Sequence, residues 1–149
     1  MLKGLLYTKM LSIRLATAHD AGLIADMSRQ TFYETFAAEN SQEDMDKFMN
    51  EQFSREKLVA EVSEPGNIFF LAYDGDTVTG YAKMREGEKQ AEFGGKPAIE
   101  IARIYASTTS IGKGTGSSLM QRCIDMAKEM GRDIIWLGVW EKNERAIRF

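Results

Sequence analysis

The segment from Ile111 to Gly116 reads Ile-Gly-Lys-Gly-Thr-Gly, with glycine at three alternate positions. It lies between a predicted strand that ends near Tyr105 and a predicted helix that starts near Thr115. Backbone N–H groups in such a turn, together with the positive end of a helix, suit a pyrophosphate. The segment is not a Walker A loop, because no Gly-Lys-Ser/Thr closes it, nor a dinucleotide fingerprint, because Leu119 replaces the last glycine. Spacing alone leaves an anion site and a plain flexible turn as equal alternatives.

A second candidate for chemistry is the acidic stretch Glu34–Glu51, which contains six carboxylates and a single lysine, Lys47. One interpretation is an acidic rim that attracts and aligns a multiply charged cation. The other is the solvated face of two helices. Tyr33 and Phe36 could flank the methylenes of such a cation, although aromatic residues at helical spacing also form cores.

The first half of the chain must position these carboxylates mainly on helices. A short strand is predicted at Ile13–Leu15, and a capping box at Thr17–Asp20 opens a helix that runs to about Phe36. A second capping signal at Ser41–Asp44 opens another helix, and a third is predicted over Ser54–Val62.

The second half has the period of strands around one long helix. Strands are predicted at Asn67–Tyr73, Val78–Arg85, Ala98–Tyr105 and Ile134–Val139, the first two forming a hairpin. An apolar stripe from Leu119 to Met130, closed by Gly131, predicts the helix after the glycine turn and includes Cys123 as core. A polar loop is predicted over 86–97.

Composition limits the class of protein. The chain has 149 residues, of which 44% are hydrophobic and 28% charged, and this composition suits one globular domain. We assign residues 10–149 to this domain and residues 1–9 to a loose leader. A net charge of −3 argues against a nucleic-acid partner, and no apolar run approaches the length of about 20 residues that spans a membrane. One cysteine and one histidine provide neither a disulfide nor a metal cluster, so we expect a cytoplasmic protein without metal.

Several motifs in order resemble the GNAT N-acetyltransferases. Gly114 and Gly116 match the glycine positions of the family's acetyl-CoA motif, Arg/Gln-x-x-Gly-x-Gly/Ala. Residues 100–105 (Glu-Ile-Ala-Arg-Ile-Tyr) are similar to the preceding strand, and residues 136–149 to the motif that follows. The segments 31–36 and 40–45 resemble bacterial spermidine/spermine acetyltransferases. The resemblance implies an α/β fold with a mixed, mostly antiparallel sheet flanked by helices, acetyl-CoA as cosubstrate, and a small cationic amine, a polyamine, as acceptor.

The resemblance also implies roles for individual residues. The pyrophosphate turn would consist of Ile111, Gly112, Lys113, Gly114, Thr115, Gly116 and Ser117. Ile104, Tyr105 and Ala106 would pair with pantetheine, and Asn143 would contact coenzyme A. Tyr33 and Glu34 would lie at the acceptor.

The chain departs from the family's pattern at two points. Ile111 replaces the usual Arg or Gln, which weakens phosphate binding without removing the backbone donors. The tyrosine that would follow Phe149, and the two strands after it, are missing. We therefore expect a truncated form of a longer enzyme, in which the strand Ile134–Val139 is an exposed edge that promotes self-association or a homodimer.

Acetyl transfer requires a neutral amine, so a base must remove a proton from the ammonium. Glu100, on the strand beside the expected thioester, is the candidate base; the alternative is a strand carboxylate paired with Arg103 or a lysine. A backbone N–H near Ile104 or Tyr105 would polarise the thioester oxygen. Two other functions stay open: acetylation of a protein or another small amine, and a coenzyme-A-binding regulator without turnover.

Overall fold

A computed structural model describes residues 10–87, 92–110 and 112–138. The strands in this part are β1 (Leu11–Leu15), β2 (Asn67–Asp74), β3 (Thr77–Arg85), β4 (Ala98–Ala106) and β5 (Ile134–Leu137). The helices are α1 (Ala21–Phe36), α2 (Gln42–Glu51), α3 (Arg55–Val62) and α4 (Thr115–Glu129). Every strand and helix predicted in Sequence analysis is therefore present in this part, with ends shifted by one or two residues, and Val139, the last residue of the predicted final strand, lies outside it. None of the helices in the described part is both long and apolar enough to cross a bilayer.

The five strands form one sheet in the order of the chain, β1-β2-β3-β4-β5. The first three pairings are antiparallel, and β4 pairs with β5 in parallel. A parallel pair requires a crossover, and α4 supplies it. The expected mixed, mostly antiparallel sheet flanked by helices is confirmed.

Strand β4 is irregular where it approaches the glycine turn. Its register against β3 moves from Arg103 opposite Lys83 to Ile101 opposite Met84, which leaves Ala102 as an extra residue. Such a bulge bends a strand and increases its twist. Among the described residues, β4 pairs with β5 only up to Ile101, and β4 then continues for five more residues. The bulge therefore directly follows the last described pair between β4 and β5, Ile101 opposite Leu137.

Helices cover the two faces of the sheet unequally. The face against α4, here called the α4 face, holds the larger core, which includes Phe70, Met84, Ile99, Leu119 and Cys123. The opposite face, the α1 face, packs Phe69, Leu71 and Tyr81 against Ile24 of α1. Because side chains alternate along a strand, neighbouring positions of β3 and β4 contribute to different faces.

Capping residues fix the helix starts as the sequence predicts. The Asp20 carboxylate accepts the Thr17 N–H at 2.8 Å, ahead of α1. The Ser41 hydroxyl accepts the Asp44 N–H at 3.1 Å at the start of α2. Each bond satisfies an amide that has no partner inside its helix, which makes these boundaries readable from local sequence.

Candidate functional site

The glycine turn opens helix α4. Gly112 and Gly114 have φ angles of 82° and 89°, in the left-handed region, and Gly114 is the N-cap of the helix. The Ser118 N–H donates to the Gly114 carbonyl at 2.9 Å, which begins the helical ladder. The amides of the three residues before Ser118 come too early to have an acceptor inside the helix. They form the positive end of α4, where a phosphate oxygen can accept them.

A buried serine holds this turn against the sheet. Ser110 is 5% exposed, and its hydroxyl lies 3.2 Å from the Thr79 carbonyl and 2.9 Å from the Ser107 carbonyl. The Ser107 N–H also donates to the Thr79 carbonyl, at 2.8 Å. The turn is therefore fixed to strand β3 as well as to β4. Sequence reasoning missed Ser110, because a serine in a loop carries no signal of burial.

Gly80 of β3 permits the close approach of β4 and α4. A Cβ at this position would lie 2.2 Å from the Tyr105 carbonyl oxygen and 3.2 Å from side-chain atoms of Thr115 and Leu119. No side chain fits at the shorter distance, so Gly80 is required where the strand and the helix converge. It too was missed, since one glycine in a strand has several explanations.

The residues expected to pair with pantetheine lie just past the bulge. Ile104, Tyr105 and Ala106 pair on one side with Ala82, Tyr81 and Gly80 of β3. On the other side they lie beyond the part of β4 that pairs with β5. Tyr105 and the start of α4 both lie close to Gly80, so the structure brings these two predicted groups near each other. Ile111 and Asn143, also predicted to bind coenzyme A, lie outside the described residues.

Glu100 lies on β4 directly opposite Arg85 of β3. Both carboxylate oxygens accept N–H groups of Arg85, at 2.9 and 3.1 Å, and the Glu100 side chain is 13% exposed. The alternative interpretation expected a pair with Arg103 or a lysine; the observed partner is Arg85. The role of Glu100 as base stays a prediction.

Four side chains from four elements meet on the α1 face beside the bulge; we call Ser28, Glu61, Lys83 and Arg103 the charged cluster. Glu61 of α3 pairs with Arg103 of β4 and, at 3.3 Å, with Lys83 of β3. Arg103 also donates to the Ser28 hydroxyl of α1 at 3.1 Å. Lys83 is only 2% exposed, and its burial, followed by the nearby Arg103, lowers the pKa of its ammonium. Sequence reasoning missed this cluster, because its members are far apart in the chain.

The predicted acceptor residues Tyr33 and Glu34 line a cavity of about 390 Å³ between α1 and α2. Asp46 of α2 lies across from them. The Tyr33 hydroxyl donates to the Gln42 side chain at 3.1 Å. Tyr33 lies five residues after Ser28, about 140° further around the helix. These side chains therefore point away from the charged cluster and from β4.

A larger cavity, of about 700 Å³, opens on another side of the α1–α2 pair; we call it the aromatic groove. It is lined by Phe32, Phe36, Met45 and Phe48, and by the exposed side chains of Glu39, Asn40 and Asp44. The Phe32 ring lies 5.0 Å from that of Phe53, and the Arg103 guanidinium lies 5.3 Å from the Phe53 ring centre. A continuous row of side chains thus joins the groove to β4 at the bulge.

Comparison with known proteins identifies the family. The sequence profile of the Acetyltransferase (GNAT) family matches residues 28–149. The chain belongs to the GNAT family. An uncharacterised N-acetyltransferase encoded in the pepI 3' region of Lactobacillus delbrueckii subsp. lactis is 39% identical over 124 residues, covering 83% of this chain and 71% of that protein. An uncharacterised N-acetyltransferase of Mycobacterium tuberculosis is 25% identical over 130 residues, covering 87% of this chain and 79% of its own length.

Solved structures share the GNAT fold. The PaiA N-acetyltransferase of Thermoplasma acidophilum, solved in complex with coenzyme A, superposes with a TM-score of 0.75 at 22% identity, covering 93% of this chain and 85% of that one. An aminoglycoside acetyltransferase from a soil metagenome, in complex with sisomicin, gives a TM-score of 0.68 at 15% identity, covering 94% and 84%. Identities this low establish the fold alone.

The GNAT chain is therefore an acetyl-CoA-dependent N-acetyltransferase, and acetyl-CoA is its cosubstrate. Within the described residues, no group of three or more histidine, cysteine or carboxylate side chains is arranged to hold a metal ion. Cys123 lies fully buried under α4, and burial raises the pKa of its thiol to about 12. A thiol held in this neutral form is a core residue and a poor nucleophile, as the apolar stripe predicts.

Proposed function

We propose that the acceptor is a polyamine such as spermidine or spermine, which enters through the aromatic groove. The observation that supports this proposal is the combination of aromatic walls and carboxylates around one cavity, whose Phe32 ring contacts Phe53, which in turn contacts Arg103 of β4. Phenyl rings can lie along the methylenes of an extended amine. Glu39 and Asp44 at the exposed edge can attract the ammonium groups that do not react.

The smaller cavity fits the same acceptor class in a different way. Glu34 and Asp46 carry negative charge across it, and Tyr33 adds an aromatic wall. Because these residues face away from β4, we assign the reacting amine to the groove. The residues of the smaller cavity would bind the distal end of a long polyamine or attract the polyamine from solution.

The proposed reaction uses both ends of β4. The turn from Gly112 to Ser117 holds the pyrophosphate, and the edge at Ile104–Ala106 pairs with pantetheine, so the thioester lies along β4 just beyond the bulge. A backbone N–H near Ile104 stabilises the oxyanion. The amine attacks the thioester carbon while its surplus proton passes to Glu100, directly or through water. The electron pair of the breaking C–S bond stays on sulfur, which then takes up a proton.

An acceptor comparison tests this function. Spermidine should be acetylated with a higher kcat/KM than a lysine peptide of neutral sequence, and the advantage should shrink as salt is raised from about 0.05 to 0.5 M, because ions screen the carboxylates. Rates are followed by release of free coenzyme A. A preference for the peptide would assign a protein acceptor instead, and binding of acetyl-CoA without turnover of either amine would favour a regulator.

A pair of variants on α2 makes the test local. Asp44→Asn should raise KM for spermidine, whereas Glu43→Gln should leave it unchanged, because Glu43 is exposed on the same turn but does not line either cavity. Both lose one negative charge. Equal effects would show that only the overall charge matters and would remove the groove from the proposal.

A further inference from the structure

Among the residues that the structure describes, the charges beside the bulge of β4 do not balance. Lys83 and Arg103 share one carboxylate, that of Glu61, so the charged cluster carries two positive charges and one negative charge. The neighbouring pair of Arg85 and Glu100 is neutral and leaves this excess in place. A buried cation usually has a carboxylate to itself, since desolvation is costly. A positive charge that has no carboxylate of its own within the described part of the chain therefore calls for a reason.

The excess charge lies where the acceptor amine must arrive. Arg103 is the first residue of β4 after the bulge and directly precedes Ile104, the proposed site of the thioester. Its guanidinium lies over the Phe53 ring at 5.3 Å, and that ring leads to the aromatic groove. An amine that reaches the thioester from the groove passes the charged cluster.

We propose that the excess positive charge of Lys83 and Arg103 holds the acceptor amine in its neutral, nucleophilic form at the thioester. A nearby positive charge disfavours a second cation, so the ammonium loses its proton more readily there than in water. The proton lost from nitrogen goes to Glu100 or to water, and the freed lone pair forms the N–C bond as the C–S bond breaks. The two residues thus adjust the protonation of the substrate without touching the bond that forms.

The groups that face this position come from five elements. Helix α3 contributes Glu61, and α1 contributes the uncharged Ser28. Strands β3 and β4 contribute Tyr81, Lys83, Arg85, Glu100, Arg103 and Tyr105. Strand β2 adds Phe69, whose ring centre lies 5.8 Å from the Lys83 ammonium. Burial first, and Arg103 second, lower the pKa of the Lys83 ammonium, which is the direction expected for a second cation placed beside these two.

The inference rests on the proposed approach through the aromatic groove, but it does not require a polyamine. With a polyamine, the carboxylates of the groove would attract the distal ammonium groups, and the charged cluster would discriminate against the reacting one. The groove would then favour a charged amine at one end of the substrate, and the charged cluster would favour a neutral amine at the other end.

The pH dependence of kcat tests the inference, because it reports the ionisation of the enzyme–substrate complex. Lys83→Met removes one positive charge with little change in volume and leaves the cluster neutral. The acid limb of the kcat profile should move to higher pH by about 1 unit, the size expected for one partly buried charge. Arg103→Gln, which keeps N–H donors for Ser28 and Glu61, should move it in the same direction. Lys57→Met is the matched control: Lys57 is a solvent-exposed lysine of α3, and its removal should leave the limb in place.

Each profile is measured with spermidine and with the lysine peptide, at saturating acetyl-CoA. A shift with the peptide alone would overturn the polyamine assignment and support the charged cluster. Two results would overturn the inference: a uniform fall in kcat at every pH, or an acid limb that stays in place in both variants. Either result would assign the charged cluster to packing or to oxyanion stabilisation. Thermal melts of Lys83→Met confirm folding, since replacing a buried ion by an apolar side chain is often neutral or stabilising.

Discussion

At the scale of single residues, the structure gives a geometric reason for the residue types of the glycine turn, whereas for Glu100 it identifies an ion-pair partner. Gly112 and Gly114 adopt positive φ angles at the start of a helix, a conformation that β-branched residues rarely adopt. Glu100 lies on the predicted strand, but its carboxylate is bound by Arg85 on the neighbouring strand. The turn therefore has a geometry that requires its residue types, whereas Glu100 has two possible roles that only an experiment separates.

Gly114→Val should abolish binding of acetyl-CoA. Valine disfavours the left-handed conformation, and its branched side chain would keep phosphate oxygens away from the α4 amides. Calorimetric titration measures the loss. Gly75→Val is the control, because Gly75 also has a positive φ, of 60°, but lies in the β2–β3 turn with open space around it. If Gly114→Val binds as tightly as Gly75→Val, the turn is not the cofactor site.

Glu100→Gln should reduce the rate most at pH values where the amine is protonated, with partial recovery at high pH, if Glu100 is the base. The loss expected from removing a general base is on the order of 10²–10⁴ in kcat. Arg85→Gln breaks the same ion pair but keeps the carboxylate, so it should retain most of the activity. Equal losses in the two variants, independent of pH, would assign Glu100 to the ion pair alone.

At the scale of elements, the site depends on how β3, β4 and α4 converge. The bulge at Ala102 follows the last described pair between β4 and β5, and the remainder of β4 pairs with β3 as far as Gly80. Gly80 on β3 and the buried Ser110 after β4 then bring the turn into contact with the sheet. Each of these features acts locally, and together they bring the end of β4, the glycine turn and the start of α4 close to one another.

Gly80→Ala should destabilise the fold by about 1–3 kcal/mol, the range for overpacking a close contact, because its Cβ would lie 2.2 Å from the Tyr105 carbonyl. It should also weaken acetyl-CoA binding, since β4 and α4 must move apart. Urea unfolding and calorimetry measure the two effects. Gly87→Ala, at an exposed position where a Cβ meets nothing within 4 Å, should change neither. Wild-type stability in Gly80→Ala would show that the strand and helix yield without cost.

At the scale of the whole molecule, the two halves of the chain supply different parts of the enzyme. The strand–turn–helix unit β4–α4–β5 contains the turn proposed to bind the cofactor, and α1, α2 and the residues between them line the cavities proposed for the acceptor. Among the described residues, β5 pairs with β4 on one edge, and the residues after 138 lie outside that part. Self-association through this edge therefore stays a prediction, as does the expectation of a truncated chain.

The sequence by itself determined the elements and the glycine turn, because capping, periodicity and glycine spacing act between residues a few positions apart. Only the tertiary structure decided which side chains meet. Glu61 pairs with Arg103 across 42 positions of the chain, and the pair forms because α3 packs on the α1 face at the bulge. Arg85 binds Glu100 because strand register places the two residues opposite each other. Tyr33 and Glu34 face away from β4 because the helix turns by about 100° per residue, so their distance from the site depends on which face of α1 packs against the sheet.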